Sequence, residues 1–226
     1  MLKAVIFDFD GIIVDTEPIH YQAFQNILQP LGLGYSWDEY LEKYIGFDDR
    51  DAFRESFTCA GKLLDDGMLC QLINQKAEIF EKIVRQGVQP YPGVIELVKA
   101  LSGNLPLGLC SGALQRDIVP ILEQFGLQHA FDTIVTADDV QASKPDPESY
   151  LLSLQRLTEV FRSMTILPHE CIAIEDTPAG IVSASTAGLA VLAVSNSYPA
   201  QRLVGATHIT ASLEDITIEI LRSFLV

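Results

Sequence analysis

Residues 5–17 read Val5-Ile6-Phe7-Asp8-Phe9-Asp10-Gly11-Ile12-Ile13-Val14-Asp15-Thr16-Glu17. An apolar run enters two carboxylates spaced i and i+2, and in extended backbone side chains two apart stand on the same side. The pair would lie just past the carboxyl end of a strand, the edge at which open α/β sheets bind ligands. Gly11 permits an unusual backbone angle directly after it. Two crowded carboxylates share a proton or hold a cation, and unequal surroundings give them different roles. The plainer alternative is a strand that ends in an acidic turn.

A second stretch repeats the pattern. Cys171-Ile172-Ala173-Ile174 runs into Glu175 and Asp176, then Thr177-Pro178 opens a helix with a hydroxyl cap and a proline in the first turn. If this strand neighbours the first, four carboxylates meet and make an oxygen-rich site for a hard cation such as Mg2+. An acidic helix start favoured by the helix dipole is the other reading of the same residues. Between the two lie Leu109-Cys110-Ser111-Gly112, a strand end offering a hydroxyl and backbone N–H groups, and Ala142-Ser143-Lys144-Pro145-Asp146-Pro147-Glu148. Two prolines there fix a loop that presents one lysine, a point cation able to hold a carboxylate and a phosphate oxygen together.

Working outward, apolar runs alternate with amphipathic helical ones from about residue 90: strands near 105–110, 133–136, 171–174, 189–194 and 208–209. Helices are expected after Tyr91-Pro92-Gly93, over 114–125, from Pro147 to about 162, after Thr177, and over 212–224. Pro120 inside 114–125 predicts a kink or a late helix start. Strands apolar on both faces and alternating with helices are the signature of a covered parallel sheet, so an α/β, Rossmann-like core is expected. Residues 19–31, 36–44, 51–60 and 67–86 instead show helical periodicity, with joins rich in glycine and proline. An all-helical insertion thus separates the first strand from the rest, giving a core of 1–16 and 88–226 with a cap of 17–87.

Composition narrows the function. The 226 residues carry 15 Lys and Arg against 30 Asp and Glu, a formal charge of −15, which repels nucleic-acid backbones and anionic membranes. No apolar stretch approaches the roughly 20 residues of a membrane helix, and two aspartates by position 10 do not suit a signal peptide. The four scattered cysteines suggest reduced thiols in a cytoplasmic protein rather than disulfides. The charge leaves monomer and weak homo-oligomer both open.

In this order the four motifs (DFDGIIVDTE, CSGA, KPDPE and EDTPAGI) resemble the haloacid dehalogenase superfamily of phosphoryl-transfer enzymes. The insertion directly after the first motif resembles the C1-type cap of its phosphoglycolate phosphatase and β-phosphoglucomutase members. The resemblance implies a cap over a Rossmann-like core, Asp8 as nucleophile, and Asp10 as the acid that protonates the leaving oxygen and then the base that activates water. It implies Ser111 on the phosphoryl group and Lys144 anchoring Asp8 and phosphate. Mg2+ would be bound by Asp8, the Asp10 carbonyl and Asp176, with Glu175 a direct or near ligand, and the substrate is a small phosphorylated metabolite. Gly46, Arg50, His20 and Lys76 of the cap, with Gly112, are assigned to substrate binding by the same resemblance.

Hydrolysis and mutase transfer both fit the motifs. A mutase places polar and basic side chains soon after the serine; here Gly112-Ala113-Leu114 follow, and the first basic residue is Arg116. Dehalogenases of the superfamily lack the second aspartate, so Asp10 argues against that chemistry. A phosphonatase needs a cap lysine that forms a Schiff base, and nothing marks Lys62, Lys76 or Lys82 for it. A fold retained only for binding would have lost one of Asp8, Asp10, Lys144 or Asp176, and all are present. The run 157–168 is longer than the pattern requires.

Overall fold

The computed structural model describes residues 1–45 and 47–225, so Gly46 lies outside the described residues. Two compact units form, Met1–Asp15 with Gln89–Val226, and Thr16–Val88.

The first unit is built on a parallel sheet of six strands in the order β3-β2-β1-β4-β5-β6. They are β1 (Ala4–Phe7), β2 (Leu107–Cys110), β3 (Thr133–Val135), β4 (Cys171–Glu175), β5 (Ala190–Val194) and β6 (His208–Thr210). Every residue of β1, β2 and β4 is buried, as apolar strands covered on both faces must be. Register decides the chemistry. Phe7 pairs with Leu109 on one side and Ile174 on the other, so the next residue, Asp8, comes level with Cys110 and Glu175. The Asp8 N–H donates to the Ile174 carbonyl at 2.9 Å, which extends the ladder one step past the strand.

In the second unit, α1 (Glu17–Leu28), α2 (Trp37–Glu39), α3 (Asp49–Cys59) and α4 (Asp66–Val84) surround an aromatic core. Residues Tyr40–Tyr44 continue α2 as a π-helix, and the rings of Tyr35 and Tyr44 stack at 4.2 Å. Phe24, Phe53, Phe57 and Leu72 fill the centre.

The core helices are α5 (Val94–Leu101), α6 (Gln115–Gln124), α7 (Glu148–Val160), α8 (Pro178–Thr186) and α9 (Ile218–Ser223). Alternate β1 residues, Ala4 and Ile6, share one buried cluster with Tyr150, Leu154 and Leu157 of α7 and Ile181 and Ala184 of α8. Thr177 caps α8 by accepting from the Gly180 N–H at 3.0 Å, as its position before Pro178 suggests.

Two helix expectations need correcting. Helix α6 starts at Gln115 and runs through Pro120, so of the kink or late start expected there the late start does not occur; Ile118 and Ile121 on either side of the proline are fully buried. The closing helix covers only Ile218–Ser223, not 212–224. The Ser212 hydroxyl accepts from the Glu214 N–H at 3.2 Å, a local turn that competes with helix, and Thr217 caps α9 at the Ile220 N–H. After α7 ends at Val160, Phe161 and Met164 of the long 157–168 run turn back onto the core. Among the described residues no helix is long and apolar enough to cross a membrane.

Candidate active site

Parallel register brings four chain segments to one end of the sheet. Lys144, in the loop before α7, points its ammonium at Asp8 Oδ1 (2.8 Å), Glu175 Oε1 (2.6 Å) and the Cys110 carbonyl (3.2 Å). An ammonium has three donors, so each finds one acceptor, and the carbonyl contact is the longest. The Lys144–Pro145 peptide is cis.

Asp8 is 7% exposed and Glu175 and Asp176 are buried deeper still. Burial and then the Glu175 carboxylate push the Asp8 carboxyl well above the ordinary carboxylate range, against the pull of Lys144. Burial alone would lower Lys144, but Asp8 and Glu175 outweigh it and hold the ammonium well above its ordinary value. Asp10 is held by the Ser111 hydroxyl, which donates to its Oδ2 at 3.2 Å and accepts from the Ala113 N–H at 3.0 Å. Cys110 packs in the interior, where burial pushes its thiol up to about 12, so it takes no part as a nucleophile at neutral pH. A Cβ on Gly112 would meet nothing within 4 Å, so the loop beside Ser111 opens onto space.

One oxygen from each of Asp8, Glu175 and Asp176 lies within 4.8 Å of the others. An all-oxygen, carboxylate-rich donor set suits a hard divalent cation, so the residues present fit Mg2+. Gly11 makes the site possible: at φ +78° its missing Cβ would fall 1.9 Å from Asp176 Oδ2. Asn196, just past β5, donates to the Gly11 carbonyl at 2.7 Å and fixes that turn.

Of the residues singled out in the sequence, Asp8, Asp10, Ser111, Lys144, Glu175 and Asp176 are brought together by the first unit. His20, Arg50 and Lys76 belong to the second. Lys76 is fully buried, 2.7 Å from His20 Nδ1 and 2.8 Å from Asp49 Oδ1, while Arg50 pairs with Asp48 at 2.6 Å. Sequence reading passed over Asp49, Tyr150, Gly180 and Asn196. Only Asp49 gave a signal, a second acid beside Asp48 at the start of α3.

Residues 5–194 match the family model described as haloacid dehalogenase-like hydrolase. The chain belongs to the haloacid dehalogenase-like hydrolases. It is 29% identical over 211 residues to the phosphorylated carbohydrates phosphatase of Thermotoga maritima, covering 92% of this chain and 86% of that one. It is 31% identical over 185 residues to the fructose-1-phosphate phosphatase YqaB of Escherichia coli, covering 82% and 92%. Its fold matches the crystal structure of β-phosphoglucomutase from Clostridium difficile with a TM-score of 0.87 at 23% identity, over 100% of this chain and 97% of that one. With relatives of this kind, the chain is an enzyme of the family's phosphatase branch.

Proposed function

We propose that this haloacid dehalogenase-like hydrolase is a Mg2+-dependent phosphatase of small phosphorylated carbohydrates, acting through an aspartyl-phosphate on Asp8. The observation that carries the reading is the Lys144 ammonium seated on Asp8 Oδ1 while the Ser111 hydroxyl holds Asp10 a short distance away.

Lys144 fixes one Asp8 oxygen and leaves the other to attack phosphorus in line with the leaving oxygen. Asp10 gives its proton to that oxygen, so the alcohol departs neutral. It then takes a proton from the water that attacks the aspartyl-phosphate, releasing phosphate and restoring Asp8. Ser111 keeps the Asp10 carboxyl turned for both transfers. Asp8 and Glu175 share one ammonium, with Asp176 beside them, so an anionic substrate needs further positive charge. Asp8 and Asp176 would hold Mg2+, with the Asp10 carbonyl, and the bound cation would offset charge on the phosphoryl oxygens. The second unit, as a cap, is assigned the sugar portion through Arg50, His20 and Lys76. What supports that assignment is a buried ammonium kept in the second unit's interior by His20 Nδ1 at 2.7 Å and Asp49 Oδ1 at 2.8 Å, polar side chains that packing alone does not require there.

The deciding assay is phosphate release from a panel of about fifty phosphorylated metabolites, with Mg2+ and with EDTA. It includes β-glucose 1-phosphate, with glucose 6-phosphate followed in parallel. The expected result is metal-dependent phosphate release from one or a few sugar phosphates. Glucose 6-phosphate forming faster than free phosphate would establish the mutase instead, although Gly112-Ala113-Leu114 after Ser111 offers a second phosphate no basic partner.

Asp10→Ala is expected to slow alkyl phosphates by about a hundredfold or more. Aryl phosphates, whose leaving oxygens need less help, should suffer several-fold less. Equal losses on both classes would remove the general-acid role.

A further inference from the structure

We infer that Tyr150 is a positioning residue of the catalytic site, its hydroxyl fixing Glu175 so that Glu175 in turn fixes Lys144 against Asp8. The inference rests on the reading of Asp8 as nucleophile given above.

Tyr150 sits in the first turns of α7 and is fully buried in the cluster beneath β1 and β4. On an apolar helix face a phenylalanine would fill the same space, so the hydroxyl needs its own account. It donates to Glu175 Oε1 at 2.7 Å, the same oxygen that accepts from Lys144 at 2.6 Å. The ring stands 5.1 Å from the Lys144 nitrogen, so one side chain contacts both members of the ion pair. Glu175 Oε2 accepts from the Asp176 N–H at 3.2 Å and the Thr177 hydroxyl at 3.4 Å. A carboxylate offers about four lone-pair sites. All of those on Glu175 are therefore taken by the chain's own donors.

The remaining freedom of Glu175 is closed by bare backbone. A Cβ on Gly180 would fall 2.0 Å from Glu175 Oε2, so the first turn of α8 forms a wall against the carboxylate. Lysine reaches its acceptors on a flexible four-carbon stem, and what holds it must come from outside. Tyr150, Gly180 and Thr177 supply that by making Glu175 rigid. Without the hydroxyl, Oε1 keeps only its contact with Lys144, and the carboxylate's broad terminal torsion lets the pair drift together.

Tyr150→Phe in the full chain keeps the ring and deletes only the donor. On the best substrate of the panel, kcat is expected to fall about tenfold with KM changed less than about twofold, the size seen when a group behind a catalytic side chain is lost. In a Glu175→Gln background the same substitution should cost less than about twofold, because two residues acting through one contact are not additive. A readout independent of turnover is the side-chain ammonium signal of Lys144 in 1H–15N NMR of the metal-free protein, assigned by its loss in Lys144→Arg. In Tyr150→Phe this signal should broaden or shift. Unchanged kcat and an unchanged Lys144 signal, with only a lower melting temperature, would overturn the inference and leave Tyr150 a packing residue. Full additivity with Glu175→Gln would overturn it as well. If the wild-type chain turned over no compound of the panel while the Lys144 signal still responded to Tyr150→Phe, the hold on Lys144 would stand and the phosphatase reading would fall.

Discussion

Asp8→Asn is expected to cut turnover by about a thousandfold or more and, in EDTA, to raise the melting temperature rather than lower it. The first effect is loss of the nucleophile. The second follows from the cost of keeping that nucleophile charged in the interior. Burial and Glu175 raise the Asp8 carboxyl above its ordinary value, so the folded protein binds the proton more tightly than the unfolded chain does. Stability on this account falls as pH rises from about 3.9, the unfolded value, through the raised folded one. At neutral pH Asp8 therefore works against the fold, and asparagine does not. Each kcal/mol relieved is worth about 2–4 °C in a chain of this size. Added Mg2+ should reverse the order, stabilising the wild type more than the variant by mass action on a site the variant has weakened. Thermal melts in EDTA and in Mg2+ check both halves. A variant several degrees less stable in EDTA would contradict the charge argument, and one that still formed a phosphoenzyme at full rate would contradict the nucleophile.

The largest loss of stability is expected from Lys144→Met. Its ammonium touches both Asp8 and Glu175, and its removal leaves two buried carboxylates facing each other with no cation between them. Breaking a buried pair from one side costs about 3–5 kcal/mol, here roughly 6–20 °C in melting temperature, and turnover should vanish. The pH dependence has a definite sign. The folded pKa of Lys144 is raised, so its contribution is fully present below about 10.4, the unfolded value, and is lost as pH rises through the folded value. The gap between wild type and variant should therefore narrow in strongly alkaline solution. It should narrow again in acid, where the orphaned Asp8 carboxylate, already raised by burial, takes up a proton. A constant gap across the whole range would mean that the methionine costs packing and not charge.

The motifs that end strands were legible because two different periodicities coincide there: an apolar run long enough for a buried strand, then acids in a number no core tolerates. Asp8, Asp10, Glu175 and Asp176 stand out in this way, and parallel register then gathers them without further information. Lys144 was legible as a lysine at the head of a proline-rich loop, and Asp8 as its partner through the family resemblance, but Glu175 and the Cys110 carbonyl were not, the latter being a backbone group of a strand 34 residues earlier. Tyr150 could not be read at all, because a tyrosine on the buried face of an amphipathic helix has the same pattern as a core phenylalanine. Gly180 was hidden for a related reason. What matters there is the absence of a methyl group beside Glu175, and a glycine in the first turn of a helix has many causes. The end of the chain misled because 212–216 have helical spacing, whereas the Ser212 side chain competes for the backbone bonds a helix would need.

The placement of β1 also bears on how the protein is made. This strand is hydrogen-bonded to β2 and β4, whose pairing residues lie more than a hundred positions downstream. At ribosomal speeds of about 5–20 residues per second, the strand that carries the nucleophile waits roughly ten to thirty seconds for its second partner. During that interval Val5, Ile6 and Phe7 are an apolar segment with unsatisfied edges on both sides. Such high contact order slows folding and leaves nascent chains prone to aggregation. Yield in a cell should therefore respond to growth temperature and to chaperone supply more strongly than the stability of the finished sheet would suggest.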